Sequence, residues 1–464
     1  MRRNFNFDVE GLLAKDKAHS MHPWHEFGRA DHTLLADSEG IHVYDGEGNR
    51  YIDGIGGMWA VQLGYGNEEM ARAIADQVRS MVYYSPWSMA TPPHAEVSAK
   101  LATLTPGDLN RFFYSTGGST ANDAAVRFVH YYWNVMERRT KKYIITRADA
   151  YHGSTYLADS LCGKPGNDNR MERVTAWISH ISSPNPYRKP AGMTDDQFLD
   201  HLMEEFEGRI DELGADNVAA FIAEPILASG GVIVPPKGYQ KRCLELCRKH
   251  DILYISDEVV TGFGRMGHFF ASEPVFDIVP DIITAAKGFT SGYIPAGVTA
   301  ISEKLHQDII DKSGESATFS MGFTYSGHPV AMAAALKNIE IMERDNIMGH
   351  ARETGAYFQE RLRGLGDLPM VGNVRGLGLM GCIECVKSKA SKEPFEDSLS
   401  VGKKIDRKCQ EYGLILRPMW HLCVFSPPII ITRNQVDDMV GIMEKAIRDV
   451  ADDMIRDGSW DGKD

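Results

Sequence analysis

The chain has 464 residues and a formal net charge of -13, so it is long enough for two or more domains and disfavours nucleic acid or an anionic membrane as a partner. Hydrophobic residues make up 43% of the chain and charged residues 24%, as in an ordinary globular protein. No apolar run is long enough to cross a bilayer, and residues 1–6 lack the apolar stretch of a signal peptide.

Strand and helix patterns alternate along the chain. A glycine-containing turn within residues 41–53 predicts a β-hairpin. Continuous apolar runs then predict buried strands, and helical periodicity predicts helices between and after them. The strands are expected at residues 142–146, 218–223, 252–256, 282–284 and 376–386, and the helices at 196–211, 239–250 and, as one long run, 330–363.

Buried strands separated by helices indicate an α/β fold with a mostly parallel sheet that is covered on both faces. The two flanks mix short strands with helices. We therefore expect a large central α/β domain over residues 76–329. A smaller α+β domain should be built from both chain ends, residues 1–75 and 330–464.

Lys287 and Asp257 carry the strongest chemical signal. Lys287 follows an apolar strand between alanines and a glycine, and Asp257 ends an earlier strand. Burial lowers the pKa of a lysine, and Schiff-base chemistry requires the deprotonated amine. A carboxylate can keep a pyridinium nitrogen protonated, so the pair indicates pyridoxal 5'-phosphate as cofactor. Taken singly, Asp257 has the alternative of a turn former and Lys287 that of a surface charge.

A candidate anion site lies where a predicted helix begins in residues 114–123 (YSTGGSTAND). Small residues leave the first backbone N–H groups of a helix open, and the helix dipole favours an anion there. Gly117, Gly118 and Ser119 are therefore candidates to hold a phosphate. The alternative is a simple serine N-cap.

Two more candidates follow predicted strands. Tyr151 comes after the strand at 142–146, where its ring can stack on a planar cofactor, although core packing is the commoner role of tyrosine. Glu224 ends the strand at 218–223. Ligand sites of open α/β sheets lie outside the carboxyl ends of the strands, so both side chains should point into one crevice.

A glycine run at residues 262–267 (GFGRMG) fits the pattern of a dinucleotide-binding turn after a strand. Pro274 and the lack of helical periodicity after this run argue against the helix that such a site requires. We expect the glycines to serve the turn itself, which leaves hydride transfer as the weakest alternative.

The seven cysteines are odd in number and irregularly spaced, which favours free thiols in a reducing cytoplasm. Cys382 and Cys385 form a CxxC pair of the kind found in metal or redox sites. No second such pair follows at zinc spacing, so we interpret both as structural.

Four motifs together resemble the class III pyridoxal-phosphate aminotransferases of fold type I, especially the ω-amino acid (or amine):pyruvate transaminases. The resemblance covers nearly the whole chain, from about residue 22 to the C-terminal helix. The motifs are residues 151–153 (YHG), 256–265 (SDEVVTGFGR), 286–288 (AKG) and 325–329 (YSGHP).

The resemblance implies roles for matching residues. Lys287 is expected to be the Schiff-base lysine and proton carrier, Asp257 the partner of the pyridinium nitrogen, and Glu224 an acidic residue close to that aspartate. Thr324 would reach the phosphate in a neighbouring subunit, which implies a homodimer with shared sites, and a tetramer of two dimers stays open. The expected cofactor contacts are Gly117, Gly118, Ser119, Tyr151 (stacked on the ring), His152, Asp257, Val259, Lys287 and Thr324.

Substrate residues also follow from the resemblance. Arg417 matches a mobile arginine that binds the keto-acid carboxylate and swings away for an uncharged amine, and a planar guanidinium suits that task. The alternative for Arg417 is a surface residue before a proline. Trp59 and Trp87 match aromatic residues lining the pocket, although either could be core, and Tyr151 borders the same space.

The chain departs from its relatives at two places. Thr120 replaces a glutamate after the phosphate-binding serine, which changes local charge but keeps the backbone anion site. Residues 227–229 (LAS) replace a Gln-Gly-Ala run, and Ser229 falls where side-chain size limits bulky amines.

The implied activity is transfer of an amino group from an amine or ω-amino acid to pyruvate or a similar 2-oxo acid, by a ping-pong mechanism. Taurine, β-alanine, a diamine and an arylalkylamine all stay open as donors. The alternatives are another fold-type-I enzyme, such as an aminomutase or decarboxylase, and a non-catalytic relative.

Overall fold

The computed structural model describes residues 3–24, 27, 32–164 and 170–463. Three β-sheets and the surrounding helices make up this part of the protein. None of its helices has both the length and the apolar character that a membrane span needs.

The strands and helices have the following bounds. The strands are β1 Leu35–Glu39, β2 His42–Asp45, β3 Arg50–Asp53, β4 Leu109–Ser115, β5 Tyr143–Arg147, β6 Ile178–Ile181, β7 Val218–Ala223, β8 Leu253–Asp257, β9 Ile282–Ala285, β10 Gly297–Ser302, β11 Val371–Leu377, β12 Met380–Ser388, β13 Glu393–Pro394, β14 Leu414–Ile415, β15 Arg417–Met419 and β16 Leu422–Phe425. The helices are α1 Val9–His19, α2 Gly56–Trp59, α3 Glu68–Ser80, α4 Pro92–Ala102, α5 Gly118–Val135, α6 Tyr156–Ser160, α7 Asp195–Leu213, α8 Tyr239–Lys249, α9 Ser272–Phe276, α10 Glu303–Ser313, α11 Pro329–Arg344, α12 Ile347–Arg363, α13 Val401–Glu411 and α14 Arg433–Arg456.

The large sheet has seven strands in the order β4-β10-β9-β8-β7-β5-β6. Strands β9, β8, β7, β5 and β6 pair in parallel, whereas β10 is antiparallel to both of its neighbours. The expected α/β fold with a large, mostly parallel sheet is therefore confirmed. The predicted strands in residues 142–284 are all present.

Helices cover both faces of this sheet, because successive strand residues point to opposite sides. Ile222 and Ile255 pack on the face covered by α5, while the neighbouring Phe221 and Tyr254 pack on the face covered by α7. Strands β7 to β10 are buried along their whole length. This double burial explains their continuous apolar sequences.

The chain ends meet in a second sheet of order β1-β2-β3-β14, where β3 and β14 run parallel. The hairpin expected in residues 41–53 is β2–β3, and Asp45 holds its turn by accepting backbone N–H groups of Glu47 and Asn49 at 3.0 and 2.8 Å. The third sheet has the order β11-β12-β16-β15, with β13 on β12. The exact domain boundaries stay a prediction.

Two predicted elements were wrong in extent. The helical run at 330–363 is two helices, α11 and α12, because Asn346 adopts a left-handed backbone with φ 48° that interrupts the helix. The run at 376–386 is not one strand but a hairpin: it ends β11, turns at Gly378 with φ 57°, and continues into β12. Apolar periodicity does not register either break, because each break is a single residue with a left-handed backbone and the apolar residues resume after it.

Candidate active site

Four neighbouring strands of the large sheet end at one edge, and a candidate residue follows or ends each of them. Lys287 lies two residues beyond β9, Asp257 is the last residue of β8, Glu224 follows β7, and Tyr151 and His152 come after β5. Parallel strands place their carboxyl ends on the same side. The fold therefore brings these five residues to one crevice.

Asp257 is buried at the base of the crevice, with its carboxylate held from several sides. Its Oδ1 accepts the backbone N–H of Val259 at 3.0 Å, and its Oδ2 accepts a hydrogen bond from Nδ2 of Asn122 at 2.8 Å. Oδ2 also lies 2.7 Å from Nδ1 of His152. Because a carboxylate only accepts, Nδ1 donates in that contact. Asn122 in turn accepts from Oγ1 of Thr284 at 2.7 Å.

Sequence reasoning did not single out Asn122. It lies in the first turns of α5, is fully buried, and also donates to the backbone carbonyl of His152 at 2.7 Å. The available signal was an amide residue among alanines on an otherwise apolar helix face. A buried amide needs hydrogen-bond partners, and only the folded sheet supplies Asp257, His152 and Thr284.

Lys287 is half-buried, and its backbone has a left-handed φ of 45°. Burial lowers the pKa of its amine, and Arg417 acts in the same direction, while Asp257 and Glu224 oppose the shift. Within the described residues its Nζ has no hydrogen-bond partner. The conformation costs free energy for a residue with a side chain and places a poorly solvated amine among three charged groups.

Glu224 is buried, and both carboxylate oxygens accept backbone N–H groups. Oε1 accepts from Tyr151 at 2.9 Å and Oε2 from Ala228 at 3.1 Å. Burial raises the pKa of this carboxyl, and the nearby Asp257 adds to the shift. Glu224 thus links the loop after β5 to the loop after β7.

The N-terminus of α5 forms a cradle where it packs closely against Val259 and the loop after β5. Gly117 precedes the helix without any side-chain cap, and a Cβ on Gly118 would lie only 2.7 Å from Cγ1 of Val259. Ser119 accepts the N–H of Ser154 through Oγ at 3.0 Å. Gly153 has φ 146°, and a Cβ there would lie 2.5 Å from the Ser119 Oγ. The open helix N–H groups and this hydroxyl suit a phosphate.

Tyr151 stands beside the crevice with its hydroxyl 2.9 Å from Oγ of Ser154. Its ring meets that of Trp24 edge-on at a centroid distance of 6.2 Å. Nζ of Lys164 lies 5.0 Å from the centroid of the Tyr151 ring. Neither Trp24 nor Lys164 was expected from the sequence, because both come from segments remote from strand ends.

Trp59 packs against the loop after β7, which carries Ser229. Trp59 is 2% exposed and packs in a cluster with Ile226 and Ala228, the loop that carries the buried Ser229. The indole Nε1 is buried and has no hydrogen-bond partner in the described chain. Trp59 is thus held in place by the same loop whose sequence departs from the relatives.

Arg417 is half-buried and begins β15. Burial lowers the pKa of its guanidinium, and the nearby Tyr151 opposes the shift. No carboxylate of the described residues forms an ion pair with Arg417. Arg417 is therefore partly withdrawn from solvent and has no counter-ion among these residues.

Trp87 and Thr324, which were predicted as substrate and cofactor residues, are exposed to solvent in the single chain. Trp87 is 95% exposed. Thr324 is exposed as well, and its carbonyl accepts a hydrogen bond from the hydroxyl of Tyr83.

Comparison with known proteins assigns the chain to a family. The sequence profile of the class III aminotransferases matches residues 28–447. The chain belongs to the class III aminotransferases. A putrescine–pyruvate aminotransferase from Pseudomonas aeruginosa is 39% identical over 420 residues, which is 90% of this chain and 91% of that protein.

Solved structures agree with this class III fold. An (S)-enantioselective ω-transaminase from Thermomicrobium roseum is 37% identical and superposes with a TM-score of 0.92, covering 96% of this chain and 100% of that one. The ω-transaminase from Pseudomonas jessenii in complex with PMP is 35% identical with a TM-score of 0.91, covering 95% and 98%.

Class III aminotransferases use pyridoxal 5'-phosphate, and the crevice of this chain fits it. Lys287 offers an amine that has no hydrogen-bond partner in the described part of the chain, and Asp257 offers a buried carboxylate. The start of α5 offers an anion cradle that a Cβ on Gly153 would crowd. Tyr151 supplies an aromatic ring at the edge. These are the group types that an aldehyde, a pyridinium nitrogen, a phosphate and a planar ring require.

Two other motifs take no part in this class III site. Residues 262–267 form a turn closed by the N–H of Phe263 donating to the carbonyl of Phe269 at 2.7 Å, and no helix begins directly after it. The interpretation of these glycines as turn residues is confirmed. All seven cysteines are buried and free, including Cys382 and Cys385 within β12.

Proposed function

We propose that this class III aminotransferase moves an amino group from an amine or ω-amino acid to pyruvate or a similar 2-oxo acid by a ping-pong mechanism. One observation carries the proposal: the guanidinium of Arg417, which has no ion-pair partner among the described residues, is close enough to the poorly solvated amine of Lys287 for its charge to lower the pKa of that amine. A transaminase with two substrates needs a group that carries a proton, and it needs a cation that binds the carboxylate of one substrate and turns away when the other substrate has none.

Lys287 would hold the cofactor through its amine, and the same amine, when free, would carry a proton. When bound, pyridoxal phosphate supplies the carbonyl group and the electron sink for the exchange. The lowered pKa of Lys287 leaves a fraction of its Nζ able to accept the proton from the substrate Cα. A base acts best when its pKa lies near the working pH.

Asp257 keeps the ring nitrogen protonated, and His152 and Asn122 keep Asp257 in place. Three groups already bond to its carboxylate, two of them at 2.7 and 2.8 Å. Such bonds fix the orientation of the oxygens before the cofactor arrives. Glu224 holds the loops on which Tyr151 and Ser229 stand.

Arg417 receives the carboxylate of the acceptor or of an amino-acid donor. Its planar fork pairs with a carboxylate through two hydrogen bonds. The absence of an ion pair within the described residues leaves it free to turn away for an uncharged amine. Trp59 and Ser229 border the remaining space and limit the size of the amine.

We further propose a homodimer in which each subunit completes the other's site. Trp87 and Thr324, which are expected at the site, are exposed in the single chain. Further exposed apolar side chains lie near Trp87 and Thr324 in the sequence, namely Met81, Val82, Tyr84, Met89 and Tyr325. A large exposed apolar surface is typical of an interaction site.

We also propose a reducing, cytoplasmic location. All seven cysteines are buried and free, which is the usual state of thiols in a reducing compartment.

Absorbance of the half-reaction tests the function. The enzyme loaded with pyridoxal phosphate is mixed with single amines without any keto acid. We expect the visible band to bleach as the pyridoxamine form appears, and pyruvate to restore it. A band that no amine bleaches would contradict transamination, and loss of carbon dioxide or an isomeric product would favour the decarboxylase or aminomutase alternative.

A further inference from the structure

Lys164 lies close to Tyr151 because the backbone of the preceding residue, Gly163, pairs with the segment before Tyr151. The N–H of Gly163 donates to the carbonyl of Ala150 at 3.0 Å, and the N–H of Asp149 donates to the carbonyl of Gly163 at 2.9 Å. This pairing is tight, because a Cβ on Gly163 would lie 2.1 Å from the carbonyl oxygen of Arg147. Lys164 is thereby fixed next to the segment that carries Tyr151.

The Lys164 side chain extends over the ring of Tyr151, with Nζ 5.0 Å from the ring centroid. It is half-buried. Burial lowers the pKa of its amine to about 8, and the charge of Arg417 contributes to the shift, while Glu224 opposes it. The charge of Arg417 also acts on the hydroxyl of Tyr151, so both cations lie near this side chain.

Within the part of the chain that the structure describes, neither of these two cations has an anionic partner. No carboxylate in residues 3–24, 27, 32–164 and 170–463 forms an ion pair or hydrogen bond with Lys164 or Arg417. Two carboxylates act on the pKa of Lys164, Glu224 more strongly than Asp149, and the oxygens of Glu224 already accept two backbone N–H groups. Two half-buried cations without a counter-ion are unfavourable, and an anion that enters the space between or beside them relieves this cost.

We propose that Lys164 is a specificity-determining residue that, together with Arg417, makes the substrate end of the site anion-selective. Donors and acceptors that end in a carboxylate are preferred, and diamines, which bring a further positive charge, are disfavoured. The proposal rests on the transaminase function given above and assigns the substrate class to it.

The expected size of the effect follows from linkage. An anion that raises the pKa of Lys164 by one unit binds about tenfold more tightly to the charged than to the neutral side chain. The second ammonium group of a diamine, bound at the same position beside Lys164, is repelled by a free energy of comparable size. Removing the charge should thus move the two ligand classes in opposite directions.

Three donors of equal chain length separate charge from shape: 4-aminobutyrate, 1-aminobutane and 1,4-diaminobutane. The holoenzyme and its Lys164→Met variant, which keeps an unbranched side chain without the charge, are compared by the apparent second-order rate of bleaching. For K164M we expect 4-aminobutyrate to slow about tenfold, 1,4-diaminobutane to speed up severalfold, and 1-aminobutane to stay within about twofold.

Controls separate charge from position. Lys164→Arg keeps the positive charge over Tyr151 and should retain the wild-type order of donors, and K237M removes a charge from an exposed lysine and should change nothing. If Lys164 served only to position Tyr151, K164M would shift the visible band and slow all three donors by the same factor. That result, or a wild-type preference for the diamine, would overturn the proposal.

Binding of butyrate, which carries no amine, gives a readout that does not need turnover. Calorimetric titration of the holoenzyme with butyrate should show about tenfold weaker binding to K164M than to wild type. If no amine bleaches the wild type but this difference is present, the transaminase function fails and the anion site stands. Equal butyrate affinities would refute the anion site whatever the activity.

Discussion

At the scale of single residues, the chemistry depends on Lys287, whose amine is poorly solvated and has no hydrogen-bond partner among the described residues. Lys287 has a left-handed backbone, a lowered pKa and no hydrogen bond within the described chain. Asp257, by contrast, is fully bonded before any ligand binds. The free energy that fixes Asp257 and strains Lys287 comes from the large sheet around them.

Replacing Lys287 tests its role directly. Lys287→Ala should slow bleaching of the cofactor band by at least about a thousandfold, because a positioned base typically contributes between a hundredfold and ten-thousandfold. Single-turnover absorbance with excess donor is the measurement. Addition of methylamine should restore part of the rate. Lys237→Ala, at an exposed position, serves as control, and full activity of K287A would contradict the catalytic role.

At the scale of elements, the phosphate cradle depends on how closely the loop after β5 approaches α5. A Cβ on Gly153 would lie 2.5 Å from Oγ and 2.7 Å from Cα of Ser119. The loop and the helix start must therefore separate if residue 153 has a side chain.

Gly153→Ala should weaken pyridoxal phosphate binding by about tenfold or more, since one displaced phosphate contact is worth on the order of 1.5 kcal/mol. Fluorescence titration of the apoenzyme gives the dissociation constant. Gly208→Ala within α7, where an added Cβ meets nothing within 4 Å, should leave it unchanged. An unchanged dissociation constant for G153A would contradict this prediction, because the loop and α5 would then accommodate the added Cβ without loss of phosphate contacts.

At the scale of the whole molecule, one buried carboxylate joins the large sheet's periphery to the C-terminal sheet. Glu384 of β12 is bonded to Arg375, with an oxygen–nitrogen distance of 2.5 Å, and to Arg188, which follows β6. Burial alone would raise the pKa of Glu384, but His421 and the two guanidinium groups outweigh it and lower the pKa to about 2.

Glu384→Gln should lower the free energy of unfolding by about 3 kcal/mol at pH 7, because a carboxyl whose pKa falls from 4.5 to about 2 on folding contributes stability of that order. Because the pKa is depressed in the folded state, this stability is fully present above pH 4.5 and is lost as the pH falls towards 2. The difference between wild type and E384Q in urea unfolding should shrink below pH 4.5. Glu207→Gln removes an exposed pair with Lys249 and should leave the free energy of unfolding nearly unchanged.

Assembly is the second property of the whole molecule. Trp87→Arg should weaken the proposed dimer by at least about tenfold, because a large aromatic side chain near the centre of an interface carries much of its binding energy. Sedimentation velocity over a concentration series measures it. Ile455→Arg, on an exposed part of α14, is the control. A dimer equally stable in W87R would place the interface elsewhere.

The sequence alone determined the α/β class and the candidate residues that end strands. Buried parallel strands require continuous apolar runs, and their carboxyl ends carry the ligand residues, so Lys287, Asp257, Glu224 and Tyr151 stood out together. The family followed from the motifs around them. These are local signals, readable without knowing which strands are neighbours.

Only the tertiary structure decided what surrounds those residues. Asn122 bonds to Asp257 because α5 crosses the ends of β8 and β9, and Lys164 lies over Tyr151 because Gly163 pairs with Ala150. The break at Asn346 is likewise a backbone conformation that apolar periodicity does not register. Such contacts join residues far apart in the chain, and their free energies exist only after the sheet has formed.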